Sequence, residues 1–173
     1  MQGNAKIRVS AERCVVRDKI NRNLLDRACI LWDLGKLRPA FHLFLRAAKN
    51  GDASAQLNLA HFYSDGLITR PNRRKSLRWL NLAVRQGYAP AANNIGMTYR
   101  NEGQFLKALR WLQIAGELGD GDAWHEMAKI YSTKMNNSTS AVNSLQRALS
   151  SDSITESSKE EAEELLQKLG KRQ

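Results

Sequence analysis

Proton transfer and metal ligation at neutral pH fall first to histidine, and this chain of 173 residues has three: His42, His61 and His125. None belongs to an HExxH motif, and no combination with the two cysteines, Cys14 and Cys29, has the spacing of a zinc site. His61 and His125 fall on helices at non-equivalent places and read as surface or groove side chains. The string GDGDAW (119–124) resembles part of a calcium loop, but the remaining ligands are missing. A helix end followed by a helix N-cap accounts for it. There is no GxxxxGK[ST], no GxGxxG and no nucleophile elbow. The expectation is a protein without catalytic residues, cofactor or metal.

The other chemistry on offer is anion binding. TRPNRRKSLRWL (69–80) carries Arg70, Arg73, Arg74, Lys75 and Arg78 within nine residues. The pattern predicts a loop over 69–72, with Asn72 as N-cap and Pro71 tolerated beside it, and a helix from Arg73. Cations in a first helical turn oppose the macrodipole, each by about 0.3–1 kcal/mol, so local stability does not account for them. A solvated loop serving solubility is one account of them, and a basic rim facing an acidic protein partner is a better one. Nucleic acid is the alternative, but single-strand binders interleave aromatics with charges and duplex readers insert a recognition helix. Here Trp79 is the one aromatic and holds a packing position, and the later stretch RNEGQFLKALRW keeps only Arg100, Lys107 and Arg110.

The net charge of +10 is uneven. Residues 1–50 carry eleven Lys/Arg against four Asp/Glu, residues 51–110 nine against three, and residues 111–173 seven against ten. An acidic partner would approach the first two thirds. Two widely spaced cysteines suit a reducing, cytoplasmic setting. No signal-peptide core stands at the N-terminus, and no apolar run is long enough for a bilayer.

These residues sit on a repeat. Tyr63, Tyr99 and Tyr131 are spaced by 36 and 32, and Ala55, Ala91 and Ala123 keep the same intervals. SLRWLNLAVRQG and ALRWLQIAGELG align Trp79 with Trp111, Ala83 with Ala115 and Gly87 with Gly119. Each unit reads as two helices. The first carries a stripe such as Ala55, Leu59, Ala60 and Tyr63; its successors are Ala91, Ile95, Gly96 and Tyr99, then Ala123, Met127, Ala128 and Tyr131. The small residue (Ala60, Gly96, Ala128) admits a close neighbour, and the tyrosine fills the space one turn on. Gly51, Gly87 and Gly119 stand where helices end. Asp52 and Asp122, or Ser54, are candidate caps.

These units resemble Sel-one-like repeats, the longer relatives of tetratricopeptide repeats. The resemblance is strong over about 36–131, with Tyr63, Gly66, Asn72 and Trp79 matching in spacing; Ile68 and Asn72 depart from the usual glycine and aspartate. It implies an all-α solenoid of antiparallel helical hairpins and a non-catalytic adaptor, scaffold or partner-neutralising inhibitor, for example in a bacterium. The boundaries expected for this single domain are a frayed 1–14, a partial repeat at 15–51, repeats at 52–87 and 88–119, a divergent repeat at 120–152 and a capping helix at 153–173. Within the partial repeat, Val16, Ile20, Leu24, Ala28 and Leu31 share a face, and STKMNNSTS (132–140) reads as loop. Ser153 and Glu156 have capping-box spacing.

First helices of such solenoids line the concave face. The expected partner-binding strip is therefore Leu57, Asn58 and His61; Asn93, Asn94, Met97 and Arg100; then His125 and Lys129. Glu126 lies beside it. Trp32, whose repeat equivalents are Ser64, Arg100 and Ser132, joins the strip as a partner-facing aromatic.

Overall fold

A computed structural model describes residues 2–170, with side chains from Asp18 onward. Among the described residues there are nine helices and no strands: α1 (Gln2–Asp33), α2 (Leu37–Lys49), α3 (Ala53–Asp65), α4 (Arg73–Val84), α5 (Ala89–Asn101), α6 (Phe105–Glu117), α7 (Gly121–Thr133), α8 (Ser138–Leu149) and α9 (Glu156–Gly170). None is long and apolar enough to cross a membrane. The expectation of a frayed segment at 1–14 lies outside the described side chains, as does Val16. The chain packs as two compact units, Met1–Gln86 and Gly87–Gln173. The first holds hairpins α1/α2 and α3/α4, with α2 against α3; the second holds α5/α6 and α7/α8, with α6 against α7 and α9 closing on α8. This is an all-α helical-hairpin repeat, as the sequence predicts.

The hairpins close on small side chains. Ala55, Ala83, Ala91, Ala115, Ala123, Ala128 and Ala148 are fully buried. At Gly96 an added Cβ would stand 2.7 Å from Leu112 Cγ and 3.2 Å from the Leu112 backbone nitrogen, so α5 and α6 touch nearly backbone to backbone. Gly51, Gly87 and Gly119 have φ of +98°, +77° and +99°, the left-handed turn with which α2, α4 and α6 end. The first unit adds an aromatic cluster. Phe62 meets Trp32 edge-on at 4.6 Å and Phe41 at 5.5 Å, and Phe41 meets Tyr63 at 5.8 Å.

Several local expectations are corrected. On α1, Leu24 and Ala28 are buried as predicted, but Ile20 is exposed and Asn21 takes the inward place, accepting a hydrogen bond from the Asn50 amide at 3.1 Å. Asp52 caps α3 through Ala55 N–H at 2.7 Å. At α7 the cap is Asp120, accepting from Ala123 N–H at 3.1 Å, not Asp122. Asp122 instead accepts from the Thr155 backbone and hydroxyl, at 2.9 and 3.0 Å. Ser153 does not cap α9: its hydroxyl donates to Gly119 O and accepts from Gly121 N–H at the start of α7. Thr155 Oγ1 takes the capping place, accepting from Ser158 N–H. The 132–140 loop shrinks to 134–137, with Asn137 capping α8 through Ser140 N–H at 3.0 Å.

Gly96→Ala trades a helix-propensity gain of about 1 kcal/mol for overpacking of roughly 1–3 kcal/mol against Leu112. Urea unfolding of this variant should show no gain and a net loss of up to about 2 kcal/mol; a rise in the midpoint would mean that α5 and α6 are not so close.

Candidate protein-binding surfaces

The basic run forms the α3–α4 loop and the first turns of α4. Asn72 Oδ1 accepts from Lys75 N–H at 2.9 Å, and Asn72 N–H donates to Tyr63 O at 2.6 Å, closing the loop over the end of α3. Pro71 packs on Gly66, where a Cβ would lie 2.6 Å from its Cδ. Arg70, Arg73, Arg74, Lys75 and Arg78 are all exposed, and the first turn of α4 contains no acid. Lys75 has an internal role, because its ammonium sits 5.2 Å from the centre of the Tyr63 ring. Lys107 repeats this over Tyr99 at 5.5 Å. Among the described residues no carboxylate pairs with Arg70, Arg74 or Arg78.

The charge partition is sharper by structural unit than along the sequence. Residues 1–86 hold seventeen Lys/Arg and six Asp/Glu, a net +11, whereas residues 87–173 hold ten and eleven.

Of the predicted strip, the first unit places Leu57, Asn58 and His61 half-buried on α3. Trp32 is half-buried too, with its ring against Phe62 and, at 5.9 Å, against Phe44. In the second unit most of the strip is engaged internally. Asn93 Nδ2 donates to Asp120 Oδ2 at 2.8 Å, holding the α7 cap, and Asn94 Nδ2 donates to Pro90 O on its own helix. Arg100 pairs with Glu126 at 3.0 Å and leans on Met97 Sδ at 3.9 Å. Lys129 pairs with Glu126 at 3.2 Å and with Glu161 at 3.1 Å. His125 is not a surface or groove residue as expected: it is 2% exposed, with Nε2 3.7 Å from Glu161 Oε2 and no hydrogen-bond partner on either ring nitrogen.

A row Arg100–Glu126–Lys129–Glu161 thus joins α5, α7 and α9 and neutralises itself. Glu161 was missed by sequence reasoning, although its separation of 32 from Lys129 equals the repeat interval and carries the same register into α9. The row holds Lys129 above its ordinary pKa, against a desolvation cost that acts downward, through Glu126 and Glu161. It holds Glu161 below its own, by hydrogen bonding to Lys129.

Among the described residues no three His, Cys, Asp or Glu side chains could hold a metal. The thiol of Cys29 is pushed up by burial and by Asp33 and Asp26, away from thiolate chemistry. Both aspartates of GDGDAW are spent on helix ends. Trp79 is half-buried against the core of the first unit, and Trp124 is buried, with Arg147 4.4 Å above its ring.

Comparison with known proteins agrees with this architecture. The Sel1 repeat model matches residues 31–52, 53–88 and 89–120, and a tetratricopeptide repeat model matches 121–155. An F-box protein of Arabidopsis thaliana is 27% identical over 74 residues, which are 43% of this chain and 20% of that protein, so the chain spans about a fifth of its length. Among solved structures, a protective antigen of uropathogenic Escherichia coli with an SLR fold superposes with a TM-score of 0.64 at 22% identity, over 74% of this chain and 30% of its own. A Sel1 repeat protein from Oxalobacter formigenes superposes with a TM-score of 0.61 at 26% identity, over 76% of this chain and 58% of its own.

The buried imidazole makes stability depend on pH. Lost hydration, then the Lys129 ammonium, lower the His125 pKa from its ordinary 6.5, against the pull of Glu126, Glu161 and Asp122. The unfolded chain therefore takes up this proton first, and folded-state stability is intact above pH 6.5 and falls as pH drops toward the lowered value. The Glu161 contribution is lost only below about 4.5, its ordinary value. Unfolding midpoints of the wild type should decline between pH 7 and 5, and those of His125→Gln should stay nearly level; parallel profiles would place the titrating group elsewhere.

Proposed function

The chain belongs to the Sel1-repeat family, whose units, like tetratricopeptide repeats, generally serve protein–protein interaction without catalysis, and on that premise we propose that it is an adaptor or inhibitor that binds an acidic protein through the basic edge of its first unit. The observation that carries this reading is the concentration of +11 in residues 1–86, with Arg70, Arg74 and Arg78 exposed and unpaired around the start of α4, Arg74 in the first turn, where it opposes the helix dipole. Charges kept at a local cost and left without internal partners are available to an external one. The second-unit strip is weaker as a docking face, because its cations and carboxylates already satisfy each other. On the first unit, Leu57, Asn58 and His61 extend the reading to the α3 face.

Electrostatic complementarity of this kind acts mainly on encounter rate and salt dependence. An exposed ion pair contributes about 0.2–1 kcal/mol, so reversing three cations replaces three weak attractions by repulsions. Affinity capture from nuclease-treated extract of the source cell should retain an acidic protein. Its affinity for Arg70→Glu/Arg74→Glu/Arg78→Glu should fall at least tenfold, with a flatter salt dependence. Unchanged affinity would remove the basic edge from the function. Submicromolar binding of generic RNA or duplex DNA, weakening steeply with salt, would instead favour the nucleic-acid reading.

A further inference from the structure

Beside the basic edge the first unit has a concavity. The α1–α2 turn and the start of α2 face the α3–α4 loop across a shallow, open depression of about 710 Å3, whose walls include Leu37, Arg38, Leu67, Ile68, Thr69, Arg70 and Pro71. Four of these seven side chains are apolar, Thr69 is neutral, and the two charged ones are cations. Asp33 and Asp65, the carboxylates nearest these loops in the sequence, do not line it.

The wall is built from the longest connection between described helices of the chain. Seven residues separate α3 from α4, against three between α1 and α2 and between α5 and α6. That length would ordinarily imply a floppy loop, yet this one is fastened at both ends. Gly66 turns with φ +68° under the Pro71 ring, Leu67 N–H donates to Phe62 O, and Asn72 N–H donates to Tyr63 O. Leu67 and Ile68 rest partly on the unit's core, which aims the loop's apolar residues into the cavity wall instead of into solvent. A recess already held in shape spares a ligand the entropy of ordering it.

We infer that this recess is the anchor site of the acidic partner: it takes a large apolar side chain from a segment whose flanking carboxylates meet Arg38 and Arg70. The inference rests on the basic-edge reading and adds to it a specificity element, since charge alone attracts any acidic surface whereas a recess selects a side chain. Apolar walls favour burial of an aliphatic or aromatic group, and the guanidinium rim disfavours a basic neighbour to it.

The test uses the full chain and three labelled nonapeptides read by fluorescence anisotropy. One has acidic residues flanking a central Leu-Phe pair, one replaces the pair by Ala-Ala, and one keeps Leu-Phe but flanks it with lysines. The acidic Leu-Phe peptide should bind at least tenfold more tightly than either of the others. Thr69→Trp, which crowds the recess from an exposed position, and Arg38→Glu should each erase the Leu-Phe preference, with circular dichroism showing the helices intact. If the two acidic peptides bind equally and the triple Glu variant weakens both, the basic edge stands and the recess proposal falls. If neither acidic peptide binds, both fall. A preference that survives Thr69→Trp and Arg38→Glu would place the anchor elsewhere and overturn the assignment.

Discussion

The close approach of helix backbones at alanine and glycine positions governs everything else in this molecule. Where Gly96 faces Leu112 even a Cβ would crowd the neighbouring helix, and Ala55, Ala91 and Ala123 are sealed from solvent. That constraint sets the interhelical distance, and the distance sets what fills the remaining space: a tyrosine one turn on, an aliphatic residue between. Because each hairpin solves the same problem, the solution recurs at 32- to 36-residue intervals. The polar residues ride on this frame. Arg100 reaches Glu126, and Lys129 reaches Glu161, only because neighbouring helices lie close.

The same constraint explains what was legible in the sequence. Ala, Gly and Tyr at fixed intervals disclosed the hairpins, their order and the small-residue contacts, because packing restricts residue type at each place. Asn72 was readable as a cap because the cap sits beside the helix that it serves. Trp79 was readable as scaffold because Trp111 repeats it.

What escaped were contacts between polar atoms remote in sequence, which periodicity does not encode. Asp120 and Asp122 are both plausible caps on paper, and the difference lies in Thr155, thirty-three residues away, which claims the second. His125 looked like a groove residue because its position in α7 faces the strip, and only the presence of α9 overhead buries it. Trp32 was singled out because no repeat equivalent shares it; its ring lies on Phe62 and Phe44, a cluster particular to the first unit. Ile20 was placed on the inner face of α1 by counting turns, but Asn21 turns inward to reach Asn50. In each case the residue type was ambiguous and a distant partner decided.

The Ser153 and Thr155 contacts bear on how the array comes apart. Among the described helices α9 packs mainly on α8 and touches α7 only lightly, so packing alone holds it weakly. Here the segment leading into α9 is tied to Gly119, Gly121 and Asp122, at the corner where α6 gives way to α7. Detaching α9 therefore also unfastens the start of α7 and leaves His125 uncovered. The clasp thus couples the stability of α9 to that of the α6–α7 corner, beyond what its packing on α8 supplies.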